Sequence, residues 1–529
     1  MTNLMSAGQM RALEQRAIES GQVTGLELME RAGRGVIRAI FARWPDLAQA
    51  PGRAAVVCGP GNNGGDGFVI ARLLREWGWQ NDLWLLGDAD RLPPDARANH
   101  DRWCAMGGQV QAYRDAGQGA FGLPCGGDDG RMVIIDALFG TGLSRPLAGV
   151  DAFAAATQGA GRQGVRVVAV DVPSGLCADS GRYLRADPSG GAGPPHGQVR
   201  ADLTVSFHTA KPGHYLQDGP AACGALEIAD IGLTGPADPL VAQLVDAPDW
   251  AGLDKGQGHK YGHGHALILS GGAGQTGAAR LAARAALRIG AGLVTLGVPP
   301  GAEAEVAAQI TALMMRPVAD PDALAAVLGD PRFSAVALGP GLGLNEVTAD
   351  KVAVALASGR PCVLDADALT AFHGQESALF RLTAGRACVL TPHGGEFARL
   401  FPDLAESLAA VPCVGPAMSR VDAAREAARR AGCVVLLKGA DTVIAAADGR
   451  VSIHAACYGR ATPWLATAGA GDVLTGMIAG LLARGVAPLH ARERAACCHV
   501  QPARGFGPGL IAGDLPDALP QVLRGLAGA

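Results

Sequence analysis

Residues 54–67 read AAVVCGPGNNGGDG. The apolar run Ala54–Cys58 passes without a spacer into a burst of turn-forming residues, Gly59 to Gly67. A short apolar run closed by glycines reads as a buried strand, with a helix to follow over Phe68–Trp77. Working outward, the alternation repeats. Asp82–Leu86, Met132–Ile135 and Val165–Val170 read as strands, and the last two are followed by acids, Asp136 and Asp171. Strands alternating with helices imply a parallel sheet covered on both faces. Ligands of such sheets bind beyond the carboxyl ends of the strands, where both acids fall.

Further along, Ala201–Phe207 and Ala225–Ile228 read as late strands, and 187–197 as a loop. The stretch Thr234–Trp250 is rich in Pro and Asp and weakly periodic, which marks a boundary. The second half restarts the rhythm. His265–Leu269, Leu293–Val298, Ala335–Leu338, Cys362–Leu364, Ala387–Thr391 and Val434–Leu437 read as strands. A helix is expected over 277–289. Thr442–Ala446 and Val451–His454 form a hairpin around Asp448-Gly449. Gly469-Ala470-Gly471 opens an apolar helix, Asp472–Leu482. The expected fold is α/β, with domains over 1–235 and 251–529 joined by a linker at 236–250.

Composition narrows the class. Hydrophobic residues make up 49% and charged residues 18%, so the chain can build large cores. Glycine counts 76 of 529, about twice the usual ~7%, yet without the triplet period of collagen. Net charge is -4 with no basic run, which argues against nucleic acid as the main partner. Twelve cysteines without CxxC pairs read as reduced thiols. No apolar leader region and no stretch long enough to span a bilayer are found, so a cytoplasmic protein without a membrane partner is expected.

The glycines of the opening stretch satisfy Gly59-x-Gly61-x-x-Gly64, a pattern that brings backbone N–H groups close to phosphate. A nicotinamide dehydrogenase would also place an acid at the end of the next strand. Here Asp82 begins that strand, and plain turn chemistry accounts for only two or three of the burst residues. Asn62-Asn63-Gly64-Gly65-Asp66 resembles the substrate loop of the NAD(P)H-hydrate epimerase family. Asp136-Ala-Leu-Phe-Gly140-Thr141-Gly142-Leu143-Ser144-Arg145-Pro146, Asp171-Val-Pro-Ser174-Gly175, and the opening helix with Glu14 and Met29-Glu-Arg-Ala-Gly33 follow that family's pattern in its order. The resemblance implies a Rossmann-like three-layer domain that inverts C6 of a hydrated nicotinamide nucleotide. Residues 62–66 and 140–146 would hold the substrate. Asn63, Asp136 and Ser174 would bind a potassium ion through hard oxygen donors. Asp171 would contact substrate and carry the proton transfer.

In the second half, Ala468-Gly469-Ala470-Gly471-Asp472 sets glycines and an acid at a helix start. This arrangement suits a developing phosphoryl charge and a base beside it. It resembles the ribokinase-like superfamily. Gly339-Pro-Gly341-Leu-Gly343, Asp365-Ala-Asp-Ala-Leu369, Thr391-Pro-His393-Gly-Gly-Glu396 and Leu437-Lys438-Gly439-Ala440-Asp441-Thr442 narrow the resemblance to the ADP-dependent NAD(P)H-hydrate dehydratase family. A three-layer ribokinase-like domain is implied, in which Asp472 takes the C6 hydroxyl proton. Ala278, Gly341, His393 and Asp472 would face the substrate. Lys438, Gly439, Ala440, Asp441, Thr442 and Gly471 would hold ADP or ATP, with Mg2+ organised by Glu396. Two positions depart from the family: Ala470 stands where it usually has threonine, and Thr370 where it often has asparagine. The expected partners are NADHX, NADPHX and ADP or ATP, in a homo-oligomer. The alternative is a ribokinase-type small-molecule kinase fused to a non-catalytic nucleotide-binding domain. Arg280, Arg284 and Arg288, four apart on one helix, read as a solvated face. Cys497-Cys498 beside His499 read as core thiols.

Overall fold

The central strands of the first unit alternate their side chains between two apolar layers. In β1 (Arg53–Cys58), Ala54, Val56 and Cys58 pack into one core while Ala55 and Val57 pack into another. Both faces of the sheet's centre are therefore covered, which is why its central strands are apolar. The computed structural model describes residues 2–113, 131–158, 164–188, 198–234, 238, 240–245, 247 and 253–527. Most of the loop read at 187–197, and residues 235–237, 239, 246 and 248–250 of the boundary stretch, lie outside the described residues.

Two compact units result: Asn3–Val241 with Ala410–Ser419, and Ala242–Ala409 with Arg420–Ala529. In the first unit, β2 (Gln80–Leu85), β3 (Gln111–Ala112), β4 (Met132–Ala137), β5 (Val165–Val170), β6 (Leu203–Phe207) and β7 (Ala225–Ala229) join β1 in the order β3-β2-β1-β4-β5-β6-β7. All pairs are parallel. Helices α1 (Ala7–Glu19) and α2 (Gly25–Arg43) start in Ser6 and Thr24 capping boxes. Helix α3 spans Asn62–Glu76. It opens six residues before the expected Phe68, so the Asn62–Asp66 stretch forms its first turn instead of a loop. Asp136 likewise lies inside β4, not after it.

In the second unit, β8 (Ala242–Leu244) falls within the stretch read as linker and pairs with β17 (Val451–Ala455). The other strands are β9 (His265–Leu269), β10 (Leu293–Val298), β11 (Met314–Pro317), β12 (Ala335–Leu338), β13 (Cys362–Leu364), β14 (Cys388–Leu390), β15 (Val434–Leu437) and β16 (Asp441–Ala445). From β8 the order is β8-β17-β16-β15-β14-β13-β12-β9-β10-β11. The hairpin β16–β17 is antiparallel, as read. Helices α4 (Gly277–Arg288), α5 (Gly394–Leu400), α6 (Ala470–Ala483), α7 (Pro488–Phe506) and α8 (Asp514–Ala527) cover it. α4 and α6 touch closely. A Cβ on Gly476 would stand 2.0 Å from the Ala282 carbonyl oxygen, so only glycine fits there. No helix of the described residues is long and apolar enough to cross a membrane.

Candidate active sites

In the first unit, β1, β4, β5 and β6 deliver the site. Asp171 follows β5 with φ of 67°, a left-handed conformation that asparagine and aspartate tolerate better than most residues. Its carboxylate is held from three directions. The Thr141 N–H donates to Oδ2 (3.1 Å), Ser206 Oγ donates to Oδ1 (2.9 Å), and the Lys211 ammonium lies 3.1 Å from Oδ1. Lys211 is 1% exposed and also donates to Ser206 Oγ and to the Phe207 and Thr209 carbonyls. Burial alone pushes the Asp171 carboxyl up. The Lys211 charge and His214, with the Ser206 bond, outweigh it and hold Asp171 below the ordinary carboxylate range. His214 is buried; desolvation and Lys211 lower it to about 4, and its Nε2–H donates to the Asp171 carbonyl (3.0 Å).

Two other carboxyls sit in the field of Asp171 and shift the opposite way. Asp66 is pushed well up by burial, then by Asp171 and Glu14. Glu14 of α1 is raised by burial and by Asp171. Gly140 lies between partners that its own side chain would displace: a Cβ there would come within 2.9 Å of both Asn63 Oδ1 and Asp171 Oδ2. The Asn63 Nδ2 is buried without a hydrogen-bond partner. Asp136 is fully buried. It accepts from Ser174 Oγ (2.6 Å), the Ser174 N–H (2.7 Å) and the Leu138 N–H (3.3 Å), and burial pushes it up to about 6. Thus Asp136 meets Ser174, and Asn63 meets the Gly140–Asp171 pair.

Residues 410–419 belong to this unit although they lie far along the chain. The Gly415 N–H donates to the Ser144 carbonyl (2.9 Å), and Ala417 packs with Leu143, Cys177 and Leu184. Arg11 Nη1 donates to the Thr141 carbonyl (3.2 Å). Lys211, Ser206, Arg11 and 410–419 escaped the sequence reading. A buried lysine in a chain of mixed charge carries no local mark.

In the second unit, the site gathers beyond the carboxyl ends of β12 to β15 and at the start of α6. Asp365 follows β13 and is 1% exposed. It accepts from Lys438 Nζ on Oδ1 (2.6 Å) and from Thr475 Oγ1 on Oδ2 (2.6 Å). Lys438 also stands 3.7 Å from Glu396 Oε2. The ammonium of Lys438 thus lies in a carboxylate cluster; burial disfavours its charge, but Asp365 and Glu396 raise it. Asp472, in the first turn of α6, is pushed up to about 6 by burial and by Asp365, against the pull of Lys438. Gly469 caps this helix at φ of 87°. His499 is buried and neutral, lowered to about 4 by desolvation, and donates from Nε2 to the Ala470 carbonyl (2.8 Å). It fixes the turn beneath Asp472, a role its neighbours in sequence did not suggest.

His393 caps α5. Its Nδ1 accepts the Gly395 N–H (2.9 Å) while Glu396 Oε2 accepts the His393 N–H (2.8 Å). Gly341 sits in a left-handed turn packed on the Gly271–Gln275 turn that leads into Ala278. The Gly343 N–H donates to Asp367 (2.9 Å), so Asp365-Ala-Asp367 shapes this wall. Gly439 and Ala440 are exposed. Arg420 braces their segment through the Lys438 carbonyl (3.0 Å) and Asp441 (3.2 Å), and Thr442 Oγ1 donates to the Gly439 carbonyl (2.7 Å).

The family described as YjeF-related protein N-terminus matches residues 25–213, and NAD(P)H-hydrate dehydratase matches 266–519. A bifunctional NAD(P)H-hydrate repair enzyme of Moorella thermoacetica is 36% identical over 99% of this chain and 97% of its own length. The chain belongs to this repair-enzyme family. An NAD(P)H-hydrate epimerase of Rhodobacter capsulatus is 48% identical over 40% of this chain and 92% of its own. A crystal structure of ADP/ATP-dependent NAD(P)H-hydrate dehydratase from Bacillus subtilis is 28% identical, with a TM-score of 0.42, over 53% of this chain and 99% of that one.

Proposed function

We propose that residues 1–235 epimerise (R)- and (S)-NAD(P)HX and that residues 251–529 dehydrate the S epimer with ADP. Membership of the bifunctional family carries both activities; the division of labour rests on the two acid centres.

In the first unit, Asp171 is the base. It is held ionised by Lys211 while Glu14 and Asp66 are held toward the neutral acid by burial and by Asp171 itself. Groups driven apart in this way supply a proton acceptor and a donor in one pocket. Inversion at C6 needs both, by ring opening or by loss and re-addition of the hydroxyl. The donor set Asn63, Asp136 and Ser174 fits potassium: all three offer oxygen, and the Asp136 carboxyl is buried away from charge compensation by its hydrogen-bond partners alone. The ion would fix substrate oxygens and the turn at 140–146.

In the second unit, Asp472 accepts the C6 hydroxyl proton as that oxygen attacks the terminal phosphorus of ADP. The C6–O–P bond forms and AMP departs. Phosphate then leaves with the C6–O electrons, C5 gives up a proton, and the dihydronicotinamide is restored. The N–H groups at the start of α6 face the transferring charge. Lys438 through Thr442 and Gly471 hold the nucleotide; Ala278, Gly341 and His393 face the hydrate. Glu396, with Asp365 near, would organise Mg2+ on the phosphates.

The test is one incubation of both NADHX epimers with ADP, Mg2+ and K+. Full recovery of NADH absorbance is expected. Recovery stalling with the R epimer untouched removes the epimerase assignment, and no ADP-dependent recovery removes the dehydratase.

A further inference from the structure

A cavity of about 850 Å³ runs along α4 in the second unit, and its lining includes Gly277, Arg280, Leu281, Arg284, Leu313 and Leu523. Small-molecule sites span roughly 300–1,000 Å³; this cavity has that size, with polar and apolar lining in near-equal share. The three arginines expected on a solvated face line it: Arg280, Arg284 and Arg288 repeat every fourth residue and extend about 12 Å along the helix. They are not equivalent. Arg284 makes two bonds to Asp517 (2.6 and 2.8 Å), and Arg288 lies 3.6 Å from the same carboxylate. Arg280 is half-buried, and its Nε is buried with no hydrogen-bond partner. Asp517 beside Arg284 and Arg288, and Glu305 in the field of Arg280, set two acids against three guanidiniums, which leaves the cavity cationic by one charge.

Two lining residues tie the cavity to the dehydratase side of α4, although no residue placed in that site lines it. Gly277 precedes Ala278, and the Leu281 side chain would be 2.9 Å from a Cβ on Gly469, the cap of the helix that carries Asp472. The N-terminus of α4 points toward the site, so the arginine row leads away from it. A molecule whose reacting ring sits at Asp472 and whose body carries phosphates and a flat apolar base would lie along that row. Arginine binds phosphate through paired N–H groups, and Leu281, Leu287, Ile310 and Leu313 offer apolar surface to a purine.

We propose that this cavity binds the adenosine half of the dinucleotide substrate, with Arg280 on the pyrophosphate and Arg284 and Arg288 nearest a ribose 2′-phosphate. The assignment rests on the dehydratase reading of Asp472. It makes the arginine row the determinant of affinity for whole dinucleotides, and of preference for NADPHX over NADHX.

The experiment compares wild type with Arg280→Ala and Arg288→Ala at saturating ADP. Arg280→Ala is expected to raise KM for (S)-NADHX and (S)-NADPHX by 10- to 100-fold, with kcat within about twofold and KM for ADP unchanged. Wild type given hydrated nicotinamide mononucleotide, which lacks the adenosine half, should show a similar loss in KM. Arg288→Ala should raise KM for NADPHX alone. Unchanged KM for both dinucleotides in Arg280→Ala overturns the proposal. So does a change in oligomeric size, which would make the cavity a face for a second copy. If wild type shows no ADP-dependent dehydration, the function reading fails by itself. The cavity is then judged by calorimetric titration with adenosine 2′,5′-bisphosphate in excess ADP: binding lost in Arg280→Ala supports it, and none in wild type sinks it.

Discussion

Each unit places one lysine in its site, and the two lysines choose different partners. Lys211 lies 3.1 Å from Asp171, the acid that would do the chemistry. Lys438 lies 2.6 Å from Asp365, a neighbour of the acid that would do the chemistry. The outcome is two carboxyls poised differently by the same kind of residue. Asp171 is held below the ordinary carboxylate range, whereas Asp472 rises to about 6 through burial and the nearby Asp365 charge, which the pull of Lys438 does not offset. A base for phosphoryl transfer gains from a pKa near the working pH, since proton affinity then matches the task. An epimerase that also needs an acid gains more from separating its carboxyls.

The comparison breaks at once if the acids are not independent. Asp472→Asn should lower ADP-dependent NADH recovery by about 10³-fold or more while the R and S epimers still interconvert, and Asp171→Asn should do the reverse. Chromatographic resolution of the epimers alongside NADH absorbance reads both. Loss of both activities from either folded variant would defeat the division of labour.

Lys211→Met tests what the direct pair does. Removing the cation leaves a buried, unpaired carboxylate, which costs about 3–5 kcal/mol. In the wild type, Asp171 is depressed, so its contribution is present above the unfolded carboxyl pKa and fades as pH falls through the folded one. In the variant Asp171 is raised instead, so stability should decline as pH rises and partly return in acid. Denaturant melts at pH 5 and 7 should show a decline with rising pH in the variant that the wild type lacks; parallel slopes would mean Lys211 is not the group that sets Asp171.

The pH profiles are the gentler probe. Dehydration should lose about tenfold in kcat/KM per unit below about 6, as Asp472 takes up its proton. With K+ saturating, so that Asp136 stays ionised, epimerisation should stay flat from pH 7 to 5, because Asp171 titrates below the ordinary carboxylate range. A shared acid limb would contradict the two settings.

Much of the frame was legible in the sequence. Val165–Val170, His265–Leu269, Leu293–Val298, Ala335–Leu338 and Val434–Leu437 are strands at the residues expected, since their apolar runs are closed by Asp171, Ser270-Gly271, Pro299, Gly339 and Lys438. The first turn of α3 was not, because Asn and Gly disfavour helices locally by up to about 1 kcal/mol each. Packing overrides that preference: a Cβ on Gly65 would meet Met29 at 2.6 Å, and one on Gly67 would meet Cys58 at 2.7 Å. Asp171 and Asp365 were legible as acids after strands. Their partners were not, since Asp171 meets Lys211 forty residues later and Asp365 meets Lys438 and Thr475 at separations of 73 and 110. Which lysine finds which acid is a property of the folded sheet.

The smallest expected effect sharpens the comparison most. Ser206 and Thr475 play matching parts: each hydroxyl donates to the acid that the local lysine holds, Ser206 to Asp171 (2.9 Å) and Thr475 to Asp365 (2.6 Å). In the first unit that acid is the reacting one, and in the second it is not. Ser206→Ala should therefore slow epimerisation, because one bond holding the Asp171 charge is lost and the carboxyl drifts upward. Thr475→Val keeps the buried shape but leaves Asp365 Oδ2 unsatisfied, at about 1–3 kcal/mol in stability. Its dehydration kcat should stay within about twofold, since Asp472 keeps its surroundings. If Thr475→Val instead moved the acid limb of dehydration by a full pH unit, Asp365 and Asp472 would be titrating as one group, and the separation of lysine partner from reacting acid would not hold in the second unit.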